Sequence, residues 1–136
     1  MSGEYRDFVM ELVGPLGPVS ARGMFGGTGI FYDILMFALI IDDRLYFKAD
    51  ERNRPDYEDE GMEPFTYVSR NGRRAVMSYW EVPERLFDEP EEMRLWGEKA
   101  VAAAIAAARK KASAAKKAPR SRAAARPKPA GRRPGA

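Results

Sequence analysis

The chain has no cysteine and no histidine in 136 residues. Without cysteine there is no disulfide, no thiolate nucleophile and no thiolate zinc site. Without histidine the side chain whose unperturbed pKa lies nearest neutrality is missing, along with the commonest transition-metal ligand. Acid–base chemistry would fall to Asp, Glu, Lys or Tyr with strongly shifted pKa values, which weighs against an enzyme. Long apolar runs are missing too. The run at residues 34–41 has eight members, against the ~20 that a membrane-spanning helix needs. Met1-Ser2-Gly3-Glu4 offers neither a basic start nor an apolar signal core, so a soluble, cytoplasmic protein is expected. Finally, residues 109–136 lack any Asp or Glu.

That last absence exposes the main feature of the chain. Residues 109–136 hold eleven Lys or Arg, while residues 1–108 hold 12 basic and 20 acidic side chains. A net charge of +3 therefore hides a body of −8 and a tail of +11. The tail can neutralise phosphates, and most of the body should repel them. Beyond residue 108 no apolar side chain larger than alanine remains. Such a composition cannot bury enough surface to offset the entropy of ordering. Two units are expected: a folded domain over 1–108 and a disordered basic tail over 109–136, with an allowed helical extension across 109–118.

Within the body, Tyr5, Phe8, Val9, Leu12 and Val13 form the stripe of an amphipathic helix, which Gly14-Pro15 ends. Residues 24–32 read as one strand whose glycines mark a bulge or a close backbone approach. Residues 34–41 read as a central strand covered on both faces, and 44–48 as a third strand after an Asp42-Asp43 turn. A short helix over 50–60 follows, with Asp50 as cap and Gly61 as terminator. Residues 64–68 and 74–82 are joined by Asn71-Gly72, the strongest short hairpin signal in the chain. Alternation there places Trp80 and Val82 on one face and Met77 and Tyr79 on the other. Asp88-Glu89-Pro90-Glu91 suits a helix start, and Met93, Trp96, Ala100 and Ala104 form the buried ladder of the last helix. The order α-β-β-β-α-β-β-α makes an α+β protein with a mainly antiparallel sheet.

Several stretches together resemble the TfoX/Sxy N-terminal domain family. They are Arg22-Gly23-Met24-Phe25-Gly26-Gly27 with Gly29-Ile30-Phe31, Phe37-Ala38-Leu39-Ile40, and Leu45-Tyr46-Phe47-Lys48-Ala49-Asp50. Gly61-Met62-Glu63-Pro64-Phe65-Thr66-Tyr67, Met77-Ser78-Tyr79-Trp80-Glu81-Val82-Pro83 and the Trp96 helix continue the match. The resemblance implies a two-layer α+β domain similar to secretion-chaperone-like folds. It also implies a regulator of DNA-uptake competence that acts with a transcription activator and has no catalytic motif. Two departures stand out. A basic tail takes the place of the second, helical domain of the full-length regulators, and Ile34 and Asp43 occupy turn positions where relatives tend to have glycine.

The candidate sites divide between tail and body. Lys110, Lys111, Lys116, Lys117, Arg120, Arg122, Arg126, Lys128, Arg132 and Arg133 resemble the alanine-lysine-proline tails of linker-histone-like proteins and form the expected nucleic-acid contact. No aromatic lies among them, so bases cannot be stacked and sequence selectivity should be poor. The plainer reading is a solubilising extension, or one docked on its own acidic body. In the body, Arg22 is a candidate partner contact, although pairing with a carboxylate is the plainer expectation. Tyr46, Lys48, Tyr67 and Tyr79 would share a recognition face if the hairpins align, against a reading as tyrosines covering a core. Arg70, Arg73 and Arg74 flank the hairpin turn, where they could touch nucleic acid or an acidic partner, or simply be solvated. The glycines of 23–29 lack the lysine and following helix of a phosphate loop. Asp56, Glu58, Asp59 and Glu60 are too crowded for a cation loop and read as a solvated face. No metal and no cofactor is expected. The leading reading is a non-enzymatic, DNA-associated regulatory adaptor with an unidentified protein partner. The alternative is a chaperone-like or dimeric interaction module whose tail is incidental; a homodimer is compatible with exposed sheet edges.

Overall fold

A computed structural model describes residues 3–24, 26–68 and 70–117. Helix α1 (Gly3–Val13) leads through a 3-10 turn into strands β1 (Val19–Met24), β2 (Gly27–Tyr32), β3 (Leu35–Ile41) and β4 (Arg44–Lys48). Helix α2 (Arg54–Asp59), strands β5 (Pro64–Val68) and β6 (Arg74–Glu81), a second 3-10 turn (Glu84–Asp88) and helix α3 (Pro90–Lys117) complete the order. The strands form one six-stranded sheet in the order β1-β2-β3-β4-β6-β5, antiparallel throughout. The expected α+β class holds. By contact, the chain divides into two units, Met1–Ala106 and Ala107–Ala136.

The strand count differs from expectation. Residues 24–32 are not one strand: Met24 ends β1 and pairs with Gly27, and Gly26 turns the chain at φ +73°. β1 itself escapes the sequence pattern because Val-Ser-Ala-Arg-Gly-Met is poor in the large apolar residues that mark strands. It is an edge strand, where such a composition is tolerated. The expected close approach is real and falls at Gly27, where a Cβ would strike the carbonyl oxygen of Ile40. The bulge lies elsewhere. Ile30 pairs with Ala38 and Phe31 with Met36, which leaves Phe37 as the extra residue of β3.

That bulge decides which side chains face which way. Phe37, Ala38 and Ile40 join the main core with Val9 and Val13 of α1, Tyr57 of α2, and Met93, Trp96, Ala100 and Ala104 of α3. Met36, Leu39 and Ile41 turn to the opposite side of the sheet. The apolar run of β3 is therefore explained by two surfaces, only one of which a helix covers among the described residues. Burying the core side chains supplies most of the stabilisation, at roughly 25 cal/mol per Å2 of apolar surface.

The turns follow local chemistry. Asp42 and Asp43 both adopt positive φ, 53° and 57°, between paired Ile41 and Arg44. This is the geometry of a tight type I′ hairpin, which Asp tolerates better than most non-glycine residues. Gly61 ends α2 at φ +74° as expected. Asn71-Gly72 does lie in a hairpin, but β5 ends at Val68 and β6 begins at Arg74, so the two residues do not form a minimal turn on their own. The helix expected over 50–60 begins only at Arg54. Ahead of it, the Asn53 side chain accepts the Asp50 N–H at 2.8 Å and donates to the Lys48 carbonyl at 3.2 Å, holding a turn instead. α3 continues to Lys117, so the first nine residues of the expected tail are helical. Residues 118–136 lie outside the described residues.

Candidate functional site

The sheet face opposite the helices is where the sequence-selected residues of the body meet. Its buried centre is Leu39, Tyr46 and Tyr79, with Met36, Ile41 and Phe65 packed around them, and no helix residue joins this cluster. Register explains the gathering. Leu39 pairs with Tyr46, Tyr46 with Glu81, and Lys48 with Tyr79, so these side chains stand on one side of three adjacent strands. Tyr46 meets Phe65 of β5 edge-on at 5.3 Å, and the Tyr79 hydroxyl donates to the Met36 carbonyl at 3.1 Å. Tyr67 lies two residues beyond Phe65 and thus on the same side, 48 % exposed.

Each candidate can now be placed. Tyr46 and Tyr79 are buried, as the core-covering reading expected, whereas Tyr67 is open to solvent. Lys48 lies over the Tyr79 ring, 5.1 Å from its centroid, and its Nζ donates to Ser78 Oγ at 3.0 Å. Burial lowers the Lys48 pKa from its ordinary value, because its ammonium is partly desolvated. Arg22 does not pair with a carboxylate as expected. Its guanidinium sits 4.7 Å above the ring of Phe31, a contact worth about 0.5–1 kcal/mol at an exposed position. Sequence reasoning had no access to this contact, because it depends on the turn at Gly26 and the pairing of β1 with β2. Arg70, Arg73 and Arg74 are exposed at the β5–β6 hairpin, where the Arg73 N–H donates to Asn71 Oδ1 at 3.3 Å. The hairpin adjoins Tyr67, whose Cα partner is Ala75.

The acids at α2 form a largely exposed face, as expected, on which three of the four, all but Asp59, also make ion pairs. Asp56 pairs with Lys99 at 2.9 Å, Glu58 with Arg54 at 3.7 Å, and Glu60 with Arg85. Among the described residues, no cluster of three or more Asp or Glu could hold a metal ion, and no helix is long and apolar enough to cross a membrane. A wide groove of about 810 Å3 lies elsewhere, between Tyr5 and Phe8 of α1, the Asp43 turn, and Glu84, Phe87 and Asp88. Burial, then the charges of Asp43, Glu81 and Glu84, push the Tyr5 phenol up to about 12. This groove is acidic and aromatic, and it contains none of the residues selected from the sequence.

Of the tail candidates, Lys110 and Lys111 are exposed on α3, and Lys116 and Lys117 form its last two residues. Arg120, Arg122, Arg126, Lys128, Arg132 and Arg133 lie outside the described residues.

Comparison with known proteins places this chain in a family. The chain is 33% identical over 83 residues to the DNA transformation protein TfoX1 of Aliivibrio fischeri (strain ATCC 700601 / ES114). That match covers 61% of this chain and 39% of the relative, so the chain spans about two fifths of the relative's length. The TfoX N-terminal domain matches residues 11–104, from the end of α1 to the buried alanines of α3, and the chain belongs to that family.

Proposed function

We propose that this protein is a non-catalytic regulatory adaptor acting in the cytoplasm in DNA-uptake competence or a related process. Its folded domain meets a protein partner, and its basic tail adds affinity for nucleic-acid phosphates without reading sequence. Family membership and the name of the relative, a DNA transformation protein, support the regulatory part. The observation that carries the nucleic-acid part is the charge division, −8 over 1–108 against +11 over 109–136. Cations of this density release condensed counterions from a polyanion, while the absence of aromatics in 109–136 leaves nothing to stack on bases.

The test is fluorescence anisotropy on duplex DNA, with the full chain and with a variant ending at Ala108. The shortened variant keeps every residue of both buried clusters, which extend no further than Ile105. If about eight cations engage phosphates, log K falls with log salt at a slope near −7 for the full chain, and the shortened variant binds weakly. Equal affinity for both would overturn the proposal. It would favour the second reading, a chaperone-like or dimeric interaction module, which the uncovered sheet face supports independently.

A further inference from the structure

Five cations beside the helices are engaged by carboxylates. On the helical side, Arg52 pairs with Asp50 at 2.8 Å, Arg94 with Glu98 at 3.4 Å and Lys99 with Asp56 at 2.9 Å. Arg54 pairs with Glu58, and Arg85 is held by Glu60, Glu89 and Glu92 together. On the open sheet face the pattern changes. Arg22 and Lys48 rest on Phe31 and Tyr79, and neither makes an ion pair among the described residues. The carboxylate that the strand register brings to this face beside Tyr46 is Glu81, and Arg44 engages it at 3.5 Å. A domain of net −8 thus presents on this face two cations without an ion-pair partner among the described residues, with the charge of Asp50 acting on Lys48 at its edge.

Between these cations the ground is apolar. Met36, Leu39 and Phe65 fill the centre, and Tyr67 and Met77 stand 48 % and 38 % exposed. Exposed apolar surface rimmed by charge of one sign is the composition of a docking site for a ligand of opposite sign with apolar anchors. Two polyanion classes have that sign, nucleic acid and acidic protein. Single-stranded nucleic acid needs open ring faces on which bases stack. Here the chain's own cations sit on the rings of Phe31 and Tyr79, and Tyr46 is 9 % exposed with Phe65 set edge-on against it. The rings of Phe31, Tyr79 and Tyr46 are therefore covered, and Tyr67 alone does not make a run of stacking platforms, while apolar side chains and the outward parts of two cations stay accessible.

We infer that the open sheet face is the docking surface for an acidic protein segment carrying apolar anchors, with Arg22 and Lys48 as its charge contacts and Tyr67 as its principal apolar contact. This rests on the reading that the folded domain meets a protein partner, and it names the face and the chemistry. A carboxylate beside Lys48 would also recover what burial costs that ammonium.

The test is NMR of the 15N-labelled full chain, titrated with a synthetic peptide of alternating Asp or Glu and Leu or Trp. The same peptide with Lys in place of each acid and an oligothymidylate single strand are the controls. The acidic peptide is expected to shift amides of β2, β3, β4 and β6. In an Arg22→Glu, Lys48→Glu double variant its affinity at those amides falls about tenfold, while shifts of residues 109–117 stay unchanged. Tyr67→Ala, which leaves every charge in place, is expected to weaken the same contact and guards against misfolding of the double variant. The inference is overturned by sheet amides that do not respond, by responses that survive charge reversal, or by larger responses to oligothymidylate. Sedimentation showing that a second copy already covers the face would overturn it too. Tail binding is read separately, from residues 109–117 and from duplex anisotropy, so the two proposals fail independently.

Discussion

The ring of Trp96 meets the ring of Tyr57 edge-on, 4.8 Å between centroids at 79°. Tyr57 also lies 6.3 Å from Trp80, so the only large side chain buried on α2 is held between the sheet and α3. Its hydroxyl has no hydrogen-bond partner among the described residues, and burial raises its pKa far above the ordinary phenol value. Tyr57→Phe keeps the ring contacts and removes the orphaned hydroxyl. It should raise stability by about 1 kcal/mol in urea denaturation. Tyr57→Ala should lower it by about 3–5 kcal/mol.

Arg85 joins three segments, reaching Glu60 after α2, Glu89, and Glu92 in α3 at 2.9 Å. Its hydrogen bonds hold Glu92 down to about 2 from an ordinary 4.5, and they lower Glu60 as well. A carboxylate with a depressed folded pKa stabilises the fold above its unfolded pKa and loses that contribution as pH falls through the folded value. Thermal midpoints should therefore drop as pH goes from about 4.5 to about 2. In Arg85→Gln this acid limb should flatten, and an unchanged limb would show that other carboxylates govern it.

The tyrosines set the opposite limit. Burial pushes both Tyr5 and Tyr79 up to about 12 from 10.0. A phenol with a raised folded pKa leaves the fold at full stability below its unfolded value, and stability is lost as pH rises through the folded one. Between about pH 10 and about pH 12 the protein should therefore weaken. Ultraviolet titration should show these phenolates appearing together with unfolding. Tyr79→Phe removes one late-ionising group and its bond to the Met36 carbonyl, at a cost of about 1 kcal/mol.

Gly27→Ala should be among the more damaging single-methyl changes in the sheet. The added Cβ would strike the backbone carbonyl of Ile40 and come within 2.8 Å of Ile41 Cγ1. Backbone cannot yield as a flexible side chain can, so about 1–3 kcal/mol should be lost. Gly97 provides the control. There the nearest atom is the Leu16 Cδ1 methyl at 2.9 Å, which can turn aside. A smaller loss for Gly97→Ala in the same denaturation series checks the distinction.

Much of the fold was legible from side-chain periodicity. The stripe of α1 buries Val9 and Val13, the ladder of α3 buries Met93, Trp96, Ala100 and Ala104, and Tyr79 and Trp80 point to opposite sides as alternation requires. What periodicity missed lies where backbone geometry outweighs composition. β1 has no large apolar pattern, and Asn53 is a buried polar residue whose role in a turn only the two hydrogen bonds reveal. The candidate face was half legible. The tyrosines and Lys48 could be aligned once hairpins were assumed, whereas Arg22 needed the unforeseen turn before Phe31 came beneath it.

The extra residue in β3 has a last effect, on how this protein can change. Because Phe37 breaks the strict alternation, positions 37, 38 and 40 belong to the interior and positions 36, 39 and 41 to the outward side. Variation at the outward set can retune what docks there while the inward set keeps its grip on the helices. One strand thereby separates the inheritance of a specificity from the inheritance of a fold.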